Sequence, residues 1–178
     1  MQDYLADYII TLRAPEASDV ASFMIWENDA KSWRDASTLA PFSRGQLVEY
    51  IANYRGDIFA ERQLRLVIVD NASDNAIGLV DFFDFDPVNS FCYLGLYVAK
   101  DFRGKGIASR AVVLAERYLF SLLHIHQLFV VIGNDNASSL SIFERLGYKK
   151  VADIPDRLRR DDGYVSATLF SKISPFNL

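Results

Sequence analysis

The segment from Arg103 to Ala108 most constrains the fold, because it places a glycine-rich, basic turn between an apolar run and an amphipathic run. The apolar run, residues 93–98, predicts a strand, and the amphipathic run, residues 107–122, predicts a helix. A helix start presents unpaired N–H groups and about half a positive charge, and glycine lets a bulky anion approach the backbone. The turn therefore predicts a phosphate site, to which Arg103 and Lys105 add charge.

The turn matches neither of two common nucleotide-binding motifs. The dinucleotide-binding motif has glycine or alanine where Ser109 stands, and it belongs to an early β-α-β unit. The P-loop requires serine or threonine after its lysine, but Gly106 follows Lys105. On the glycines alone, a surface turn that begins a helix is the simpler interpretation, whereas the order of the surrounding elements favours a binding site.

Composition predicts one globular domain spanning residues 1–178, since 51% of the residues are hydrophobic. No apolar stretch reaches membrane-spanning length, and the N-terminus lacks the features of a signal peptide. The single Cys92 excludes an internal disulfide and fits a cytoplasmic protein. One cysteine and two histidines predict no metal site, and a net charge of −4 argues against nucleic-acid binding.

Periodicity predicts an antiparallel meander followed by two strand–helix units. The helix over 107–122 joins two strands, which predicts that those strands run parallel. Ser43 and Gln46 form a capping-box pattern that predicts a helix start. Further helices are predicted near residues 20–26 and over 136–146. The predicted strands are 8–13, 64–69, 77–85, 91–98, 127–132, 148–151 and 164–173.

Two motifs at a fitting separation resemble those of the GCN5-related N-acetyltransferases, the GNAT superfamily. Arg103-x-x-Gly106-x-Ala108 is similar to the family's acyl-CoA loop, Gln/Arg-x-x-Gly-x-Gly/Ala. Residues 136–139, followed by residues 143–148, resemble the second motif, a helix that begins at asparagine and ends in a Leu-Gly-aromatic corner. Within the family the chain resembles the branch of ribosomal-protein N-terminal acetyltransferases and bacterial spermidine acetyltransferases. Leu12-Arg13, Trp26–Asp29 and Asp162–Tyr164 also resemble that branch.

The resemblance implies an α/β (α+β) domain with the GNAT fold: a mixed, mostly antiparallel sheet, helices on both faces, and a splayed strand pair that holds acetyl-CoA. It implies that residues 103–108 bind the pyrophosphate and that backbone groups of residues 96–98 pair with the pantetheine arm. A backbone N–H near Leu96 or Tyr97 would donate to the thioester oxygen. The cofactor-binding residues expected from the resemblance are Leu96, Tyr97, Val98, Arg103, Gly104, Lys105, Gly106, Ile107, Ala108, Ser109, Asn136, Ser139 and Phe143.

The acceptor amine must lose a proton before it attacks, and Asp81 and Asp84 are the candidate bases. They stand three residues apart, so on a regular strand they face opposite sides and only one enters the cleft. We select Asp81, which shares a face with Leu79 and Phe83, because apolar neighbours would raise the pKa of its carboxyl group. The alternative is a solvated or ion-paired aspartate without a catalytic role.

The resemblance leaves the acid on the thiol side open. Many relatives use a tyrosine where this chain has Phe143, which has no proton to donate. Ser139 matches a position at which some ribosomal-protein acetyltransferases carry serine near the thiol, and it is our candidate for orienting or protonating the sulfur. Tyr93 stands where the branch often carries glutamate, and we include it among the candidate catalytic residues. Asn136 is expected to bind pantetheine, to cap its helix, or both.

The implied reaction is acetyl transfer from acetyl-CoA to a primary amine by direct attack. A protein or peptide N-terminal amine is the leading acceptor, because Phe143 replaces the tyrosine and Ser139 is present. A polyamine or another small amine is the alternative, and an acyl-CoA-binding regulator without catalysis is the alternative of another class. A homodimer is compatible with the sequence.

Overall fold

One seven-stranded sheet forms the centre of the protein. The computed structural model describes residues 4–30, 33 and 40–176. Within them the strand order is β1-β2-β3-β4-β5-β7-β6. All neighbouring strands are antiparallel except β4 and β5, which run parallel as the sequence predicts. The strands are β1 (Ile10–Arg13), β2 (Leu64–Asp70), β3 (Asn75–Asp86), β4 (Phe91–Val98), β5 (Gln127–Gly133), β6 (Lys149–Arg160) and β7 (Gly163–Ile173).

Five α-helices in the described part of the chain surround the sheet. They are α1 (Val20–Trp26), α2 (Arg44–Ala52), α3 (Ile58–Glu61), α4 (Ile107–Glu116) and α5 (Ala137–Arg145). The predicted capping box is confirmed at the start of α2, where the Ser43 hydroxyl accepts the Gln46 N–H and the Gln46 side chain accepts the Ser43 N–H. The helix predicted over 107–122 is confirmed, although its last turns, Arg117–Leu122, have π-helical hydrogen bonding. None of these helices combines the length and apolar character that crossing a membrane requires.

Helices pack on both faces of the sheet, as the alternation in β2 demonstrates. Leu66 and Ile68 join the larger core cluster, which contains the apolar stripe of α4. Val67 and Val69 point the other way and pack with Phe23 of α1 in a smaller cluster. Successive strand residues face opposite sides of a sheet, so both faces of β2 are covered. The smaller cluster fixes α1 and α2 above one face, where they form one wall of the groove described below.

β3 contains an irregularity that changes which side chains share a face. Its register against β4 shifts between Phe83 and Asp86, and Asp84 has a left-handed backbone with φ of 51°. Consequently Phe82 and Phe85 are both buried in the larger core although they stand three residues apart. The prediction of a regular strand here was wrong, and Asp81 and Asp84 both line the same groove. A bulge of this kind re-aims side chains near functional sites.

β6 is much longer than the four-residue strand that its sequence predicts. It extends from Lys149 to Arg160 and is exposed along most of its length. Its register against β7 shifts between Ile154 and Leu158, and Asp156 has φ of 50°. The strand lies at the edge of the sheet, where polar residues are tolerated, so it lacks the apolar alternation by which strands are recognised.

Candidate active site

β4 and β5 separate after a short parallel ladder. They pair at Phe91 to Tyr93 of β4 and Gln127 to Phe129 of β5. Beyond these residues β4 stays paired with β3 and β5 stays paired with β7. A gap therefore opens between residues 94–98 and residues 130–133, and both stretches line it. An extended ligand that carries amide groups can add to such a strand edge.

Backbone groups at this edge point alternately toward β3 and toward the gap. The Ala99 N–H donates to the Ile77 carbonyl oxygen of β3 at 2.8 Å. Because direction alternates along a strand, the groups of Tyr97 also point to β3, whereas those of Leu96 and Val98 point into the gap. The Val98 carbonyl oxygen accepts the Arg103 Nε–H at 2.8 Å. Of the backbone groups expected to hold pantetheine, those of Leu96 and the Val98 N–H remain turned to the gap without a cross-strand partner.

The glycine-rich turn is an open cradle in front of α4. Gly104 and Gly106 have φ of 73° and 79°, and a Cβ atom added to either would meet nothing within 4 Å. Gly106 is the N-cap of α4, and no side chain caps the helix. The first N–H groups of α4 thus have no side-chain cap, and they lie at the positive end of the helix dipole. These features fit a phosphate group, which would fill the space that the glycines leave.

The two basic side chains of the turn take different positions. The Arg103 guanidinium lies 5.7 Å from the centre of the Tyr97 ring and lines the groove. Lys105 does not line the groove, and its Nζ lies 5.2 Å from the centre of the Phe102 ring. The positive charge at the mouth of the cradle therefore comes from the helix and from Arg103 more directly than from Lys105.

The start of α5 faces the gap from the side of β5. The Asn136 Oδ1 atom accepts the Ser139 N–H at 3.1 Å, which confirms its role as a helix cap. Asn136, Ser139 and Phe143 all line the groove. Phe143 is buried and packs edge-on against Tyr148 with ring centres 4.9 Å apart. Ser138 also lines the groove, so this helix presents two hydroxyl groups there, of which Ser139 stands one helical turn before Phe143.

Asp81 is held by an arginine that the sequence analysis did not single out. Both oxygens of Asp81 accept hydrogen bonds from Arg65 of β2, at 2.6 Å from Nε and 3.0 Å from Nη2. A third bond joins Arg65 Nη1 to the Glu27 carboxylate. The structure thus has the partnered aspartate that the sequence analysis gave as the alternative, and the nearest partner of Asp81 is a cation. Asp84 lies exposed on the bulge and has no such partner among the described side chains.

Tyr93 and Gly95 form the floor of the groove on the same face as Asp81. The Tyr93 ring stacks on Phe83 with centres 5.7 Å apart and tilts against Phe129 at 5.5 Å. Gly95 pairs with Asp81 across the ladder. A Cβ atom at Gly95 would meet Phe83 at 3.5 Å and Asp81 at 3.6 Å, which is ordinary contact. The backbone does not require glycine at this position. Its absence of a side chain leaves space above the floor of the groove.

One groove of about 2220 Å³ connects all these features. Its charges are divided into two halves. The acidic half, formed by α1, α2, α3, β2, β3 and the segments beside them, carries six carboxylates and two arginines: Glu27, Asp29, Glu49, Glu61, Asp81, Asp84, Arg55 and Arg65. The half formed by the turn, α5 and β6 carries basic side chains: Lys100, Arg103, Arg145, Arg157, Arg159 and Arg160. A polyanion and a cation would each find a complementary half.

Comparison with known proteins gives the family. The model of the acetyltransferase (GNAT) domain matches residues 10–149. The chain belongs to the GNAT acetyltransferase family. Acetyl-CoA is the cosubstrate that this family uses.

Several curated proteins are similar to this GNAT chain. Spermidine N(1)-acetyltransferase of Vibrio cholerae is 24% identical over 139 residues, which are 78% of each chain. The Escherichia coli K12 protein of the same name is 26% identical over 101 residues, 57% of this chain and 53% of that protein. The ribosomal protein uS5-alanine N-acetyltransferase of Escherichia coli K12 is 30% identical over 84 residues, 47% of this chain and 43% of that protein.

Solved structures support the GNAT fold. The Vibrio cholerae spermidine N-acetyltransferase in complex with CoA and spermine has a TM-score of 0.83 and 20% identity, and the match covers 94% of this chain and 97% of that one. A probable acetyltransferase has a TM-score of 0.82 and 21% identity, and the match covers 94% of each chain. At this identity the likeness establishes the fold. It confirms the predicted mixed sheet with a splayed strand pair.

The groove brings together every candidate residue from the sequence except Lys105. Sequence reasoning missed Arg65, Glu27 as its partner, and Gly95. The one available signal was an arginine in the otherwise apolar strand sequence Leu-Arg-Leu-Val-Ile-Val. A charged residue in such a strand requires a partner, but the strand sequence does not identify Asp81 or Glu27 as that partner.

Proposed function

We propose that this protein transfers the acetyl group of acetyl-CoA to a primary amine of a polyamine-type cation. The observation that carries this proposal is the division of charge within the groove. The polyamine acceptor replaces the peptide amine that the sequence analysis ranked first. The similar spermidine acetyltransferases and the carboxylates of the acidic half, which we call the acceptor half, both favour it.

The basic half supports a site for acetyl-CoA. Residues 104–106 and the first N–H groups of α4 would receive the pyrophosphate. Leu96 would pair with the pantetheine arm through its free backbone groups, and Asn136 lies on the opposite side of the gap. Arg103 fixes the end of β4 by its bond to Val98 and supplies charge at the mouth. This arrangement would set the thioester beside Leu96, and the acceptor amine would approach it over Gly95.

The acceptor half supports a cationic substrate. An alkylamine with a pKa near 10.4 is neutral in fewer than about one molecule in a thousand at pH 7. It therefore arrives as an ammonium ion and is attracted by the carboxylates of this half. The stacked rings of Phe83 and Tyr93 offer an apolar floor for its methylene chain.

The reaction requires proton removal from the ammonium group before the nitrogen attacks the thioester carbonyl. The Leu96 N–H would donate to the carbonyl oxygen, where negative charge develops. Asp84 or Asp81 would receive the proton, directly or through water, and Asp84 is our first choice because Arg65 already binds both oxygens of Asp81. Ser139 would donate to the departing sulfur, because Phe143 has no proton to give.

A peptide N-terminal amine is the second candidate acceptor. Its α-amine has a pKa near 8, so deprotonation costs only about 1.4 kcal/mol at pH 7 and demands less of a base. The position of Ser139 beside Phe143 favours this alternative. The similarity to the uS5-alanine acetyltransferase supports it over less than half of either chain.

A thiol-release assay with a panel of amines tests the proposal. We expect acetyl-CoA to release CoA with spermidine and spermine faster than with short peptides that begin with alanine or serine. Faster release with the peptides would replace the polyamine by the second candidate. Acetyl-CoA binding without release by any amine would indicate an acyl-CoA-binding regulator and contradict the enzymatic proposal.

We also propose that the protein forms a homo-oligomer, for which a dimer is the simplest form. One similar solved structure is described as a dodecameric spermidine N-acetyltransferase. Analytical ultracentrifugation of the protein with and without spermidine tests this proposal, and a monomer under both conditions would contradict it.

A further inference from the structure

Arg65 lies in the acceptor half together with Asp81 and Glu27, and we call these three residues the acceptor wall. Its guanidinium donates to both oxygens of Asp81 and to the Glu27 carboxylate. Two aromatic rings flank it, with the Cζ atom 5.9 Å from the centre of the Phe23 ring and 5.8 Å from that of Tyr50. Two carboxylates and two aromatic rings around a cation are the groups that bind an ammonium ion in other sites. Here the cation that they surround is the guanidinium of Arg65 itself.

Arg65 remains charged in this position. Burial opposes its charge, but the carboxylates of Asp81 and Glu27 outweigh burial and raise the pKa of the guanidinium above its ordinary value. The three groups together carry two formal negative charges and one positive charge. Asp81 is 32% exposed and Glu27 is 15% exposed, so both can be reached from the groove. Each carboxylate oxygen has two lone pairs, so Asp81 can accept a further hydrogen bond.

We propose that Arg65 is a positioning and selectivity residue of the acceptor wall. It holds the carboxylates of Asp81 and Glu27 at the groove and cancels one of their two charges. The remaining negative charge suits one ammonium group of the acceptor. This inference rests on the proposed function, because it assumes that an amine binds in the acceptor half.

The role of Arg65 has a consequence for amine selectivity. Without the guanidinium, the wall would carry one more negative charge and would favour a triamine over a monoamine more strongly. Without one carboxylate, the cluster of Arg65, Asp81 and Glu27 would be neutral and would no longer contribute to this preference. A residue with a merely structural role would change activity toward both amines by the same factor.

The test measures kcat/KM for spermidine and for butylamine and takes their ratio. We expect Arg65→Met to raise the ratio about tenfold and Asp81→Asn to lower it about tenfold, as one unit charge at close range predicts at a protein surface. Arg65→Lys keeps the charge but loses the bidentate hydrogen bond to Asp81. We therefore expect lower activity toward both amines and an unchanged ratio of the two kcat/KM values. The control Arg44→Met alters an exposed arginine outside the groove and should leave both values unchanged.

An unchanged ratio in Asp81→Asn would overturn the inference, and so would an Arg65→Met protein that folds and keeps the wild-type ratio. If Arg65→Met does not fold, Asp81→Asn and Arg65→Lys still decide between the two roles. If wild-type protein releases no CoA with either amine, the proposed function fails. The ratio is then taken from dissociation constants of the two amines, measured by calorimetry on CoA-loaded protein, with the same expectations for each variant.

Discussion

The two halves of the groove are built from different parts of the molecule. The part of the basic half that we propose for the pyrophosphate and pantetheine consists mainly of backbone: the edge of β4, two glycines and the start of α4, all within residues 94–109. The acidic half depends on side chains from α1, α2, β2 and β3, such as Glu27, Arg65 and Asp81, which are far apart in sequence. Backbone sites follow from local sequence, whereas the charge of the acidic half follows from long-range packing.

This comparison is tested most strongly at Gly106. We expect Gly106→Val to weaken acetyl-CoA binding about a hundredfold, because it places a branched side chain in the space proposed for the pyrophosphate and overpacking costs up to about 3 kcal/mol. Calorimetry measures the dissociation constant. The matched control is Gly147→Val, since Gly147 has φ of 84° and open space around it but lies outside the groove. Equal affinity in both variants would refute the assignment of the turn.

Substitutions at two glycines of the central strands distinguish an effect on stability from an effect on substrate binding. At Gly78 an added Cβ would lie 2.3 Å from the Tyr97 carbonyl oxygen, so we expect Gly78→Ala to lower the melting temperature clearly. At Gly95 the added methyl makes ordinary contacts, so Gly95→Ala should fold normally. It should raise the KM for the amine about tenfold while leaving the KM for acetyl-CoA unchanged. Equal effects on the KM for the amine and the KM for acetyl-CoA would contradict this prediction, because Gly95 would then contact both substrates.

The role of Asp81 is decided by the pH dependence of Asp81→Asn. Because Arg65 binds both oxygens of Asp81, we expect the variant to raise the KM for spermidine about five- to tenfold at every pH from about 6 to 9. The kcat should change by less than about threefold. If Asp81 is instead the base, kcat falls most at low pH, where deprotonation limits the rate. Asp162→Asn, an exposed change in the β6–β7 turn, serves as control.

The smallest expected effect lies outside the groove, at Glu116 of α4. Burial raises the pKa of this carboxyl group, and the ion pair with Lys172 lowers it by less. A raised folded-state pKa means that the stabilising contribution is complete below the ordinary value of 4.5 and is lost as pH rises through the folded-state value. We therefore expect Glu116→Gln to gain stability relative to wild type as pH rises from about 4.5 to 7.5.

Urea unfolding at several pH values measures this change. One titrating carboxyl group contributes at most about 1.4 kcal/mol per pH unit to the difference. A difference between the two proteins that stays constant over this range would contradict the raised pKa. Acetyl-CoA binding should be unaffected, because Glu116 does not line the groove.

The sequence predicted the elements around the cradle well and the acceptor wall poorly. Gly106 and Asn136 act locally, as helix caps within a few residues of the groups they serve, so their spacing predicts their positions. Asp81 and Asp84 were expected on opposite sides, but the bulge in β3 brings both to the groove. No strong turn residue marks the bulge, since Phe83-Asp84-Phe85 reads as ordinary alternation.

The sequence by itself determined the order of strands and helices, the glycine-rich turn before α4 and the family that these features resemble. These depend on periodicity and on backbone requirements within a few residues. Only the tertiary structure decided that Arg65 lies between Asp81 and Glu27 and that Gly95 leaves the floor bare. The reason is physical: an ion pair depends on distance in space, and β2, β3 and α1 come together only when the sheet and its helices pack.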